Sequence, residues 1–206
     1  QQLMAEWVGE TLDARGMPGK ATIVAGGDRA VLEPQWGKDG TLYYIADRSG
    51  WWNLYATRDG KTRALAPMAR EFGGALWTLG NQTYVVADAG HVYAPSSKDA
   101  IDQLAWIDGK DGDHRRIDAP FVNFGDLSLD RHGRLVVTAS AATDEPVLVA
   151  IDPHDGQVQR LHQVSASRNP ASMVSIGQPI RFPTTPGPAG EARIAHATSY
   201  PPTNPG

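Results

Sequence analysis

The chain has 206 residues, 41% of them hydrophobic and 20% charged, which is enough apolar content for one large core or two small ones. Nineteen basic residues against 23 acidic give a formal net charge of −4, so there is no cationic excess to neutralise nucleic-acid phosphates. Cysteine is absent, which removes disulfides, thiolate nucleophiles and cysteine-type zinc sites together.

Glycine (22) and proline (15) fall between short apolar runs and do not cluster, the punctuation of many short strands joined by turns. Glu6 to Leu12 and Ala21 to Ala25 read as a first pair of strands. From Pro34-Gln35-Trp36 the chain turns at Lys38-Asp39-Gly40 and enters the strand Thr41 to Ala46. It turns again at Asp47-Arg48-Ser49-Gly50, continues as Trp52 to Thr57, and closes with the turn Arg58 to Lys61 and the strand Thr62 to Leu65.

A second unit opens at Gly74-Ala75-Leu76-Trp77, turns at Gly80-Asn81, and runs through Thr83 to Ala87, His91 to Ala94 and Leu104 to Ile107, ending at Arg115 to Asp118. The best helical candidate, Ser96 to Leu104, is too short and too polar to anchor a helical layer. A third unit takes Gly125 to Leu129, the turn Asp130-Arg131-His132-Gly133, and the strands Arg134 to Ala139 and Val147 to Ile151. It ends with the turn Asp152 to Gly156 and Val158 to Leu161. Met173 to Phe182 and Arg193 to Tyr200 read as the opening strands of one more unit, separated by the proline-rich loop 183–190.

The runs are rich in β-branched and aromatic residues, and the order strand, Asp/Asn-Gly turn, strand, polar turn, strand, Asp-Gly turn, strand recurs from Trp36, Trp77 and Leu127. Four antiparallel strands in about 40 to 50 residues make one propeller blade. The predicted fold is therefore an all-β propeller fragment, with a β-sandwich as the rival that leaves the recurrence unexplained. Blades are expected at about 28–66, 73–118 and 124–163, with partial blades at 1–27 and 173–200 and a linker beginning at 201–206. Closed propellers carry about four to eight blades, so this arc would expose strand edges and is expected to belong to a larger protein.

Pro34 to Tyr55, PQWGKDGTLYYIADRSGWWNLY, resembles the propeller of the prolyl oligopeptidase family in its acylaminoacyl-peptidase and dipeptidyl-aminopeptidase-like branch. The residues that carry the resemblance are Trp36, Asp39, Gly40, Asp47, Arg48, Gly50, Asn53 and Tyr55, followed by Glu71-Phe72-Gly73 before Trp77. The tail, Ile180 to Thr184, Ala195-His196-Ala197 and Tyr200 to Pro205, is similar to the family segment that leads from the propeller into an α/β-hydrolase domain. The resemblance implies that such a domain, absent here, does the chemistry, with peptides as substrates of the parent. That machinery needs a Gly-x-Ser-x-Gly elbow with an acid and a His following. None occurs, since Gly125-Asp126-Leu127-Ser128-Leu129 fails at its last position. No catalytic residue is assigned, and the chain alone is expected not to hydrolyse peptides.

The remaining candidates each carry a bland reading beside the sharp one. Trp51 and Trp52 are candidates to face substrate, against one ring packing between blades while its neighbour points away. Arg48 beside Asp47 offers a fork for a peptide carboxylate, against an Asp-Arg turn that ties blades together. Glu71 is a candidate to hold a free amino terminus; the dipeptidyl branch uses two adjacent glutamates, and Glu71 has no such partner. Asp108 to Asp113 places Lys110 and Gly112 where a calcium loop needs oxygen ligands, so a hairpin turn is favoured. The six histidines, at 91, 114, 132, 154, 162 and 196, lack metal-binding spacing. His114-Arg115-Arg116 reads as a solvated strand end.

Three functions follow. The first is a non-catalytic propeller that gates access to a serine peptidase domain, with no cofactor, metal, nucleic acid or membrane partner. The alternative is a free-standing binding or scaffold propeller whose open edges close by self-association. A third, a propeller with a central metal of the lactonase kind, has no local spacing in its favour. No apolar run approaches the roughly 20 residues of a membrane helix. Gln1-Gln2-Leu3-Met4 does not resemble a secretory leader, and with cysteine absent the expected location is cytoplasmic.

Overall fold

Runs that alternate in side-chain direction and are interrupted by Asp-Gly turns fold here into antiparallel ladders. The protein, seen as a computed structural model, is described at residues 7–9, 15–17, 22–25, 30–74, 80–163 and 169–203. Trp77, Ala75 and Leu76 of the expected second unit, the outer parts of Glu6 to Leu12, Ala21, and Asn204 and Pro205 of the tail lie outside the described residues.

Strands β1 (Trp7–Gly9) and β2 (Thr22–Ala25) form a two-stranded sheet. The first four-stranded sheet is β3 (Val31–Trp36), β4 (Leu42–Ala46), β5 (Asn53–Arg58) and β6 (Lys61–Leu65), in that order. The second is β7 (Val85–Val86), β8 (Val92–Lys98), β9 (Ile101–Ile107) and β10 (His114–Arg116). The third is β11 (Asn123–Leu129), β12 (Leu135–Ser140), β13 (Val147–Ile151) and β14 (Val158–His162). After a 3-10 turn at Ala171–Met173, β15 (Gln178–Thr184) and β16 (Arg193–Ser199) form a hairpin. Three up-and-down four-stranded sheets with their first strands side by side, β3 beside β7 and β7 beside β11, make an all-β propeller fragment of about three blades. No described helix is long and apolar enough to cross a membrane.

The sheets stack face to face, and period-two alternation decides which core each residue joins. In β4, Tyr43 and Ile45 face the second sheet and pack with Leu54, Leu65, Phe72, Tyr84, Val92 and Ile107. Leu42, Tyr44 and Ala46 alternate with them and pack with Val31, Tyr55 and Ala25 on the other side. Every residue of β4 is buried, which explains why its sequence is apolar throughout. The second and third sheets share Val85, Tyr93, Leu104, Leu127, Leu135, Val137, Val149 and Ile151. Each such side chain contributes about 1.5–3 kcal/mol when fully buried.

Turn chemistry sets the ladder ends. Gly40 has φ 81°, and the preceding Asp39 accepts from the Thr41 amide at 3.0 Å and its hydroxyl at 2.9 Å. Such Asp-Gly turns suit the twist of an antiparallel hairpin. Gly109 is required for a different reason: a Cβ there would lie 1.7 Å from the Gly90 carbonyl oxygen. The stretch Ser96 to Leu104, the best helical candidate in the sequence, is strand on both sides of a two-residue turn at Asp99-Ala100. Its polar residues cluster at the turn end of the β8–β9 ladder, and a run this short cannot be separated from a helix by periodicity alone.

Candidate functional site

The strand ends gather the sequence's candidates at one end of the sheets, where the Asp47–Trp52 turn, the segment 66–74 and the β8–β9 turn meet. Segment 66–74 crosses from the first sheet to the second and is stitched to both. Asn53, fully buried, donates from Nδ2 to the carbonyls of Met68 (3.1 Å) and Arg70 (3.3 Å), and its Oδ1 accepts from the Met68 amide at 2.8 Å. On the other side Arg70 donates through Nε to Ser96 Oγ at 2.8 Å and through Nη2 to the Ser96 and Ile101 carbonyls at 2.5 and 2.9 Å. Burial lowers its pKa.

Glu71 is held by this stitching. Its backbone exchanges two hydrogen bonds with Ser97, at 2.9 and 2.7 Å, and its Oε2 accepts from the Trp52 amide at 2.7 Å. Trp52 packs against the core shared by the first two sheets. Trp51, its neighbour, lines a groove of about 440 Å³ together with Glu71, Lys98, Asp99, Arg181 and His196. Glu71 also borders a smaller, open pocket of about 190 Å³, with Phe72, Thr83, Phe124 and Asp126. The tandem tryptophans therefore divide, one into core and one into the groove, because consecutive residues of an extended segment point to opposite sides.

The groove offers an aromatic ring, two carboxylates and two cations. Such a set can hold a polar, amine-bearing chain by charge and stacking. Among the described residues no serine hydroxyl is hydrogen-bonded to a histidine, and no cluster of three or more His, Asp or Glu is placed to hold a metal.

The other residues singled out in the sequence do not line this groove. Asp47 Oδ1 accepts from the Ala30 amide at 3.2 Å, and Gly50, at φ 79°, donates to the Asp47 carbonyl. Arg48 is exposed, with its guanidinium 5.4 Å from the centre of the Tyr55 ring, a cation–π contact within its own sheet. Tyr55 stacks on Tyr44 at 5.8 Å. Asp39 is paired with Arg58 at 2.5 Å at the opposite end of the ladder, and Trp36, 63% exposed, lies in a second groove beside Ile23 and Leu42.

Sequence reasoning missed Glu33. Its φ of 49° sits in a β-bulge between Leu32 and Gln35, and its carboxylate reaches across to Thr83 of the second sheet. A charged residue before proline inside an apolar strand is the signal that would have found it. It also missed Asp99 and Arg181, whose 2.9 and 3.0 Å contacts span 82 residues of sequence.

No protein-family model matches the chain, and no curated protein matches its sequence. Solved structures do. A puromycin hydrolase superposes with a TM-score of 0.83 at 24% identity, over 97% of this chain and 30% of its own. The same enzyme as an alanine mutant complexed with PGG gives 0.80 at 24% identity, over 96% of this chain and 30% of its own. A puromycin-hydrolysing peptidase of Mycobacterium tuberculosis gives 0.81 at 28% identity, over 95% of this chain and 29% of its own. The chain thus spans about 30% of the length of the structures it matches.

Proposed function

We propose that this chain, which has the fold of the propeller portion of puromycin-hydrolysing peptidases, is the non-catalytic propeller part of a serine peptidase and gates the approach of peptides to a hydrolase domain. The observation that carries this reading is the 28% identical match, which covers 95% of the chain and only 29% of the peptidase. The Trp51–Glu71 groove is the peptide-facing surface in this reading, with Glu71 as the anchor for a basic or amino group. A Gly-x-Ser-x-Gly elbow is absent from the sequence, in keeping with chemistry supplied by another part of the parent. The β15–β16 hairpin supports the same reading, because Ile180 and Phe182 are 43% and 47% exposed there. Such apolar side chains suit contact with a further domain.

The test reads the coding sequence beyond Gly206 and assays the encoded protein on an aminoacyl nitroanilide, beside residues 1–206 alone. The expected result is an open frame carrying Gly-x-Ser-x-Gly, then Asp and His, with hydrolysis by the longer protein only. A stop codon at that point, or hydrolysis by 1–206 itself, overturns the proposal. A discrete dimer of 1–206 with no downstream frame favours the self-closing binding propeller instead.

A further inference from the structure

Among the described residues the β15–β16 hairpin has no ladder partner outside itself, and β15 is exposed along its whole length. It nevertheless lies over the end of the first two sheets, where Pro179, Ile180, Arg181 and His196 form one wall of the groove whose other wall includes Trp51 and Glu71. Among the described residues, the only hydrogen bonds that join this hairpin to the three four-stranded sheets run from Arg181 Nη2 to Asp99 Oδ1 and Oδ2, at 2.9 and 3.0 Å. Both side chains keep contact with water, at 54% and 30% exposure. His196 stands opposite Arg181 in the hairpin ladder. The hydrogen bond from Arg181, then the Arg181, Lys98 and His196 charges, hold the Asp99 carboxyl below the usual range.

Asp99 is presented by an unusual turn. The pair Lys98–Ile101 closes a two-residue loop in which Asp99 and Ala100 have φ of 52° and 61°. A loop with two such residues is ordinarily Asn-Gly or Asp-Gly, and a β-branched or methyl-bearing residue at its second position is strained. Strain of this kind persists where the surrounding structure holds it and clusters at working parts of a protein.

We propose that Asp99 and Arg181 form a latch that holds the β15–β16 hairpin down as the roof of the Trp51–Glu71 groove, so that a chain enters the groove when this ion pair parts. A half-exposed pair shifts such an equilibrium by no more than about fivefold, so the roof is readily released. The latch takes its purpose from the peptide-facing reading of the groove, but it is a property of this chain and is tested with no peptide present.

The absence of cysteine allows two spin labels to be placed uniquely. Ala69→Cys marks the stitched segment and Ala189→Cys the hairpin loop, both exposed positions, and the interlabel distance distribution is measured by pulsed dipolar spectroscopy on the full chain. The labelled parent is expected to give a dominant, narrow short-distance population with a minor long-distance one. Asp99→Asn and Arg181→Gln are each expected to raise the long-distance population up to about fivefold, as is 1 M salt on the labelled parent (about a 3 Å screening length). The charge-swapped pair Asp99→Arg with Arg181→Asp is expected to restore the narrow distribution. Distributions that ignore both single substitutions and salt overturn the latch. So does a swapped pair that stays broad while its far-ultraviolet circular dichroism matches the parent. Loss of peptidase activity in a longer protein, or its absence, has no bearing on either outcome.

Discussion

The Thr83 amide donates to Glu33 Oε2 at 2.7 Å, so a carboxylate on the innermost strand of the first sheet grips the approach to the innermost strand of the second. The Thr83 hydroxyl joins the same oxygen at 3.0 Å, and Tyr84 Oη donates to the Glu33 carbonyl. One residue earlier, the Gln82 amide donates to Asp126 Oδ1 of the third sheet at 2.9 Å. Both acids sit at irregularities in their ladders, between Leu32 and Gln35 and between Phe124 and Leu127. A bulge turns a side chain out of the pleat, and here it turns two carboxylates toward the strand between them.

Removing the Glu33 grip separates burial from hydrogen bonding. Glu33→Ala is expected to cost about 1.5–3 kcal/mol, since it leaves the Thr83 amide without its acceptor. Glu33→Gln keeps an acceptor and removes the charge, and is expected to cost under about 1 kcal/mol. Urea unfolding of the two variants checks the order, and equal losses would deny the hydrogen bond its role.

The acids respond to pH in opposite senses. Burial raises the Glu33 pKa above 4.5, so its contribution favours the fold at low pH and is lost as pH rises through the folded value. The Arg134 amide, with the Arg134 side chain and the His132 amide, lowers Asp130 to about 2. Its contribution is present above the unfolded value of about 3.9 and is lost as pH falls toward 2. Carboxyl carbon chemical shifts through a titration are expected to place the Glu33 midpoint above 4.5 and the Asp130 midpoint near 2.

Asn53 carries the stitching on which Glu71 depends. Asn53→Ala strands the Met68 amide and removes donors from two carbonyls, at an expected cost of about 2–4 kcal/mol. The same variant is expected to speed amide exchange at Glu71 and Phe72, and unchanged exchange there would show that segment 66–74 is held without it.

Ala100→Gly is expected to stabilise the chain by up to about 1 kcal/mol, because glycine tolerates a left-handed φ that alanine resists. A higher urea midpoint with an unchanged slope would confirm that the turn is strained.

In a longer protein with peptidase activity, Glu71→Gln and Trp51→Ala are expected to raise KM by roughly tenfold while leaving kcat nearly intact. A fall in kcat alone would place both residues in the chemical step, contrary to the proposed role.

The ladders were legible because their signals are local. Asp39-Gly40 and Asp130 to Gly133 each announce a turn, and the apolar run of β4 announces a strand covered on both faces. Trp51 and Trp52 could be seen to part, since adjacent residues of an extended chain face opposite ways, although which one entered the core could not be read. Glu33, Arg70 and the Asp99–Arg181 pair were not legible as contacts. Each acts on a partner in another sheet or hairpin, and the spacing of residues along one strand says nothing about which turn of a neighbouring sheet it will meet. Ser96 to Leu104 looked least like a strand because its β partner, not its own composition, supplies its order.

The two larger apolar clusters have the second sheet in common, one on each of its faces. Unfolding is therefore expected to travel inward. The exposed strand β14 and the hairpin β15–β16 can fray at little cost, whereas β8 cannot open until a neighbouring layer has left. Its amides at Val92, Tyr93, Ala94 and Ser96 are expected to be the last to take up deuterium, so the middle of the molecule keeps time for the whole.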